Sequence, residues 1–249
     1  MNGEQSLSNT EYYEILRRGL PEDLRVERFV HGVAWTAAVL SDGRCGVAMR
    51  TEGSAAPRLF DSLLGRRLPD AGEALLSWNM TEAAEALAAV NACYNSRACG
   101  FVLPDSKTLD GIDLRGRTVG MIGMMIGHGN MTAEDFSAVK ALYVMDREEK
   151  PGDYPDSACE YLLPECDLVV VTGSAAINKT MPRILELSRN AEIVLTGPSV
   201  SLCPALLEAF PIRRLNGQAI VEPEAMGKTI VEKRCSVNAF SRHYTLDKT

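Results

Sequence analysis

Four short apolar runs in the second half of the chain constrain its fold more than any other feature. They are TVGMIGMMIG (118–127), ALYVMD (141–146), DLVVVTG (167–173) and EIVLTG (192–197). Each is too short for a core helix and lacks the alternation of a half-exposed strand, so each reads as a strand buried on both faces. Between them stand helix-like stretches, AEDFSAVK, NKTMPRILELSR and CPALLEAF, and the segment from Leu215 to Val221 offers a fifth strand. Strand and helix alternating in this way specify an α/β fold, a parallel sheet covered on both faces.

In such a sheet, ligands sit beyond the carboxyl ends of the strands, near the point where strand order reverses. The runs here end in small polar residues. The first ends at Gly127-His128-Gly129-Asn130 and the second at Asp146-Arg147. The third ends at Thr172-Gly173-Ser174, followed by Asn178 and Thr180, and the fourth at Thr196-Gly197-Pro198-Ser199, followed by Ser201 and Cys203. Glycine lets backbone approach a ligand, helix amino termini present free N–H groups, and Ser, Thr and Asn add short hydrogen-bonding arms. Any one of these residues serves equally well as a plain helix cap; their expected alignment along one edge favours a site. His128, one of three histidines, stands between two glycines at a strand end, placed for metal ligation or proton transfer. Cys203 stands at a helix start, where the dipole favours a thiolate, or else is a buried inert thiol.

The first half reads as α+β. NTEYYEILRRG suggests a short amphipathic helix, and two apolar runs between residues 25 and 51 meet at Ser41-Asp42-Gly43, a hairpin signal. Helices are expected over 57–65 and 80–96. Asn79 or Thr81 can cap the later one, whose apolar face continues into Asn91 and Asn95. Two buried carboxamides need partners, either a neighbouring loop or a ligand. PDSKTLDGIDLRGR (104–117) reads as a linker, which divides the chain into an amino-terminal unit, 1–110, and an α/β unit, 111–249. The polar tail after Cys235 is expected to pack on a partner subunit in a homo-oligomer.

The net charge of -7 argues against a nucleic-acid surface. No apolar stretch reaches the roughly 18 residues that span a bilayer, and no signal-peptide pattern stands at the start, so a cytoplasmic location is expected. Seven irregularly spaced cysteines make neither a disulfide framework nor a closed zinc site.

DLVVVTGSAAINKTMPRILEL followed by EIVLTGPSVSLCPAL resembles the putative heavy-metal chelation domain family, which carries a T-G-x-x-x-x-N-x-T segment and then G-P-S. ALAAVNACYN resembles the end of that family's companion domain, which has an enolase amino-terminal-like fold. The resemblance implies an enolase-like α+β domain joined to a Rossmann-like doubly wound domain, with a site in the crevice between them. Carried over by position, that site is lined by Asn91, Thr172, Gly173, Asn178, Thr180, Gly197, Pro198 and Ser199. The turn at Gly127-His128-Gly129-Asn130 departs from the Gly-His-Phe-Pro-like turn of many relatives.

Two functions follow as expectations. The first is a protein that holds an anionic small molecule or metal complex between the domains, on Asn91, Asn95, Gly127, His128, Thr172, Gly173, Ser174, Asn178, Thr180, Gly197, Pro198 and Ser199. A transition or heavy-metal ion, if held directly, falls to His128 and Cys203. The second is a nucleotide-dependent enzyme, since Asp146 follows Gly127 at about the spacing of a ribose-binding acid. Gly127-His-Gly129-Asn-Met-Thr132 lacks the third glycine of that fingerprint. The enolase-like fold does not bring enolase chemistry with it, and the carboxylate cluster and lysine of an enolase barrel are not recognisable.

Overall fold

A computed structural model describes residues 10–51, 54–96, 107–127, 131–148, 150–233 and 236–248. Helix α1 (Glu11–Arg18) has acidic residues in its first turn and Arg17 and Arg18 in its last, both favourable to the helix dipole. A three-stranded antiparallel sheet follows: β1 (Val26–His31), β2 (Trp35–Leu40) and β3 (Cys45–Met49), in the order β1-β2-β3. The Asp42-Gly43 turn joins β2 to β3, with Gly43 at φ 84°. The first expected run divides at Gly32–Ala34, where Gly32 N donates to Trp35 O at 2.8 Å, so two runs become three strands.

Helix α3 (Met80–Tyr94) lies across this sheet, capped by Asn79, whose side chain accepts from Glu82 N at 3.1 Å. It is buried on every side from Glu82 to Tyr94, not along one stripe. Six alanines with no exposed surface let neighbours come close all round. The expected helix over 57–65 is absent. Leu59 N and Phe60 N donate to the buried Glu82 carboxylate at 2.7 and 2.9 Å, which holds that segment open against α3. The helical turn comes later, as α2 (Leu68–Gly72) and a 3-10 continuation over Glu73–Leu76.

The second sheet has seven strands: β4 (Thr118–Ile122), β5 (Ala141–Asp146), β6 (Tyr154–Pro155), β7 (Leu168–Thr172), β8 (Glu192–Thr196), β9 (Ile212–Ile220) and β10 (Ser241–Asp247). Their spatial order is β10-β9-β8-β7-β4-β5-β6. All pairs are parallel except β9 with β10. The chain builds outward from β4 in one direction through β5 and β6, then returns to lay β7, β8 and β9 on the other side, so strand order reverses between β4 and β7. The polar tail is β10, seated on its own β9 with Tyr244 opposite Gly217, where a partner-subunit contact was expected.

Helices α4 (Cys159–Leu162), α5 (Met181–Leu187) and α6 (Pro204–Ala209) share one face of this sheet with α1 and α3. Tyr12, Leu16 and Leu87 belong to the same buried cluster as Val169, Ile193 and Leu206, so the two halves of the chain share one continuous core. The other face, with Val119, Met121, Leu168 and Val170, is covered by Leu109, Ile112, Leu114, Met131 and Phe136. AEDFSAVK supplies only a 3-10 turn there, Ala133–Phe136. Helix α7 (Pro223–Glu232) crosses back and packs Met226 and Ile230 on Trp35, Ala37 and Val47 of the small sheet. No helix among the described residues is long and apolar enough to cross a membrane.

The tightest seam between α3 and the small sheet is at Gly46, where a methyl group would overlap Ala92 N and Ala88 O of α3. Both are backbone atoms and cannot swing aside. Gly46→Ala is therefore expected to cost about 1–3 kcal/mol, read as a lower urea midpoint at unchanged m-value.

Candidate functional site

The carboxyl ends of β4, β5, β7 and β8 lie side by side in one register. Chain leaves β4 through Gly123 (φ 83°), which donates to Met145 O at 2.9 Å; a Cβ there would stand 3.0 Å from Thr172 Cγ2. Asp146, ending β5, accepts from Met124 N at 2.8 Å and Glu148 N at 3.1 Å. Both its oxygens are engaged by backbone, and this fixes the turn after β4. Gly127, at φ 81°, donates to Met131 O at 3.0 Å. His128, with Gly129 and Asn130, lies outside the described residues.

Beyond β7, Thr172 Oγ1 lies 3.1 Å from Ser174 Oγ and accepts from Ser174 N at 3.4 Å. A Cβ on Gly173 would come within 2.5 Å of the Ser199–Val200 peptide, so only glycine lets the loops after β7 and β8 touch. Asn178 Oδ1 accepts from Thr180 N at 3.0 Å and Thr180 Oγ1 at 2.6 Å, while its Nδ2 has no partner among the described residues. Thr172, Ser174, Asn178 and Thr180 are all half-buried. They make a short run of polar arms beside the fork between β4 and β7. Helices α5 and α6, with seven and six residues, add little dipole to them.

The loop after β8 is engaged elsewhere. Gly197 turns at φ 110°, and Ser199 Oγ accepts from Met49 N at 2.9 Å. Asn91 Nδ2 donates to Val47 O at 2.9 Å and, more loosely, to Pro198 O at 3.5 Å, while its Oδ1 accepts from Ser201 Oγ at 2.5 Å. Asn95 Nδ2 donates to Val200 O at 2.7 Å and Gln218 O at 3.3 Å, and its Oδ1 accepts from Leu202 N at 2.8 Å. Of the two partners left open for these carboxamides, the structure supplies the neighbouring loop. With exposures of 0% and 2% and every polar atom engaged, the pair fastens α3 to residues 197–202.

Cys203, at the start of α6, is buried, and burial pushes its thiol above the ordinary value despite hydrogen bonds that act the other way. Burial likewise pushes Cys45 up to about 12 and Cys159 and Cys166 to about 11. At neutral pH burial keeps these sulfurs as thiols, so a metal would have to displace a proton to bind them. Among the described residues, no three His, Cys, Asp or Glu side chains are grouped to hold a metal ion. A separate concavity of about 410 Å³ lies on the outer side of β1. Its charges are mixed: Arg58 pairs with Glu85 at 2.5 Å, and His31 Nε2 lies 3.5 Å from the same carboxylate. It shares no residue with the strand ends.

Lys179 is a residue that the sequence reading passed over. It is the one non-glycine at positive φ (68°) among the described residues. Its Nζ donates to Ile177 O at 3.0 Å and stands 5.4 Å from the centre of the Tyr13 ring. No carboxylate among the described residues pairs with it, and burial holds its ammonium at about 8, well below the ordinary 10.5. A sequence signal was present, because Lys179 fills the variable place of Asn-x-Thr between two candidates.

A family model described as "Putative heavy-metal chelation" (DUF364) matches residues 110–246, and a second with the same description (DUF4213) matches residues 13–94. The chain is similar to the crystal structure of a DUF364 family protein of unknown function from Desulfitobacterium hafniense. The two are 30% identical, the TM-score is 0.84, and 96% of this chain and 98% of that one are covered. It shares the fold of a second DUF364 family protein of unknown function, from Pyrococcus horikoshii, at 24% identity and a TM-score of 0.73, covering 96% and 97%. An uncharacterized protein of Methanocaldococcus jannaschii is 29% identical over 112 residues, 43% of this chain and 42% of that protein, so the match spans less than half of that relative.

The Lys179 ammonium makes stability depend on pH. Between about 8 and the ordinary value of 10.5, the folded chain holds fewer protons than the unfolded one, so this residue's contribution to stability rises with pH across that window. Below it, the lysine is charged in both states and the cost of burying that charge is fully felt. Lys179→Met is expected to raise the urea midpoint at pH 7, and the advantage should shrink as the buffer is taken toward pH 10.5.

Proposed function

The chain belongs to the DUF364 family, described as putative heavy-metal chelation, and from that premise we propose that it binds a small molecule or metal complex at the carboxyl edge of its parallel sheet. On this reading the ligand rests in the fork between β4 and β7 and is met by Thr172, Ser174, Asn178 and Thr180. The amino-terminal unit borders that edge through Tyr13 of α1, whose hydroxyl donates to Ala176 O at 2.9 Å. The carrying observation is the Asn178 Nδ2 donor, which lacks a partner among the described residues beside a turn held rigid by its own Oδ1.

The described residues do not fit a bare metal ion, for no three His, Cys, Asp or Glu side chains among them are grouped as ligands. They fit a metal that arrives already wrapped in an oxygen-rich chelate, because amide and hydroxyl donors suit the outer oxygens of such a complex. We place the division at residues 1–110 and 111–249. An enolase amino-terminal-like identity for the first unit is supported by one helix laid across a three-stranded meander. A Rossmann-like identity for the second is supported by strand order: numbered in chain order from β4, the parallel strands read 3-2-1-4-5-6.

That order also favours a second reading, a nucleotide-dependent enzyme, with Asp146 at the end of the second strand. The carboxylate already accepts two backbone N–H groups, so a ribose would have to displace or share them.

Titration calorimetry tests the leading reading with Ni²⁺, Zn²⁺ and Cu²⁺, each alone and as its citrate complex. Heat is expected from the complexes and little from the free ions. Asn178→Asp keeps an oxygen for Thr180, replaces the donor with a negative charge, and should weaken binding of the anionic complexes about tenfold or more. Silence from every complex would sink the proposal. A thermal shift with NAD(H), NADP(H) or S-adenosylmethionine, and none with the chelates, would put the second reading in its place.

A further inference from the structure

We infer that Lys179 sets the class of ligand accepted at this edge: a small molecule or metal chelate that carries an oxyanion, carboxylate or phosphate, and seats it on Nζ. The inference rests on the binding function proposed above and adds a charge requirement to it.

A lysine ammonium has three N–H donors. One is used, on Ile177 O at 3.0 Å, a carbonyl only two residues back in the same turn. Among the described residues, the others meet no protein acceptor, and no carboxylate lies within ion-pairing distance. The side chain is half-buried, whereas a surface lysine that merely covers apolar area extends its head into water. Beneath the ammonium is the face of Tyr13, 5.4 Å away. An aromatic face attracts the cation without neutralising it, so the charge remains available to a ligand. Tyr13 acts as a positioning residue, since its hydroxyl bond to Ala176 O fixes the ring on the loop that carries Lys179.

Among the described residues, no unpaired carboxylate is recorded beside the ammonium. Burial pushes the Tyr13 phenol up, so it is neutral. On α5 and α4, Arg183 is closed on Glu160 and Glu186 at 2.5–2.9 Å, so the nearest carboxylates there have a partner of their own. Burial lowers the lysine's value below the ordinary one. The left-handed backbone at Lys179, φ 68°, suits glycine or asparagine far better than lysine. Strain of that kind collects at ligand-holding positions.

The protein is titrated with citrate, with inorganic phosphate and with 2-hydroxypropane-1,2,3-tricarboxamide, the neutral triamide of citrate. Acylation of Lys179 by a limiting amine reagent is followed in parallel by peptide mass spectrometry. Citrate or phosphate should bind and protect Lys179, and the carboxamide should do neither; protection by only one of the two anions tells carboxylate from phosphate. Lys179→Met should weaken anion binding about tenfold or more. Lys179→Arg should retain it. Wild-type affinity should fall about tenfold between pH 7 and 9 as the ammonium discharges, while that of Lys179→Arg stays level. Equal affinity of wild type and Lys179→Met, or equal binding of citrate and its amide, would overturn the inference. If Asn178→Asp still weakens binding in that case, the edge is a binding site and only its charge reader is misassigned. If no probe binds and none protects, both readings fail.

Discussion

Two carboxamides one turn apart on α3 hold the structure together where its halves meet. Asn91 belongs to a helix buried on all sides and Asn95 is its C-cap; each side chain carries a full amide of donors and acceptor. Between them they bind β3, the loop after β8 and the edge of β9. The loop at residues 197–202 would otherwise be an irregular stretch with several buried peptide groups to satisfy. Fastened in this way, it gives the adjacent loop after β7 a rigid wall, against which Gly173 lies without a side chain. The position of Thr172, Ser174 and Asn178 is thus set from a helix more than 70 residues earlier in the chain.

The same burial that makes this seam rigid decides the chemistry of the sulfurs. Thiols at Cys45, Cys166 and Cys203 sit in apolar surroundings that penalise the thiolate, and the short α6 does not compensate at Cys203. At the carboxyl edge of the sheet the described residues offer amides, hydroxyls and one ammonium. Neutral donors of this kind suit oxygen acceptors better than a bare cation.

Much of the fold was legible because apolar periodicity carries it. ALYVMD is β5 end to end, and DLVVVTG and EIVLTG are β7 and β8 with their polar tips in place. Where side chains from distant segments decide, the sequence misled. Residues 57–65 have helical composition, but Glu82 takes the Leu59 and Phe60 N–H groups. The polar tail was expected on a partner subunit, yet β10 is an edge strand, where Arg214 ion-paired to Asp247 and Asn216 bonded to Thr245 supplement the packing of Tyr244 and Leu246. Asn91 and Asn95 were visible as buried amides in need of partners, but which partners depended on a loop some 105 residues on. Lys179 was hidden for a different reason: nothing in its neighbours along the chain foretells that Tyr13, from α1, will enclose it.

Helix α7 returning to the small amino-terminal sheet has a consequence for the order of events during synthesis. Trp35, Ala37 and Val47 emerge from the ribosome early, yet the side chains that cover them, Met226 and Ile230, are made nearly two hundred residues later. Until then that face of β2 and β3 is a greasy surface open to any passing chaperone or to another nascent copy. The small sheet is made long before its cover, so a stall before Ile230 leaves a sticky intermediate instead of a folded fragment.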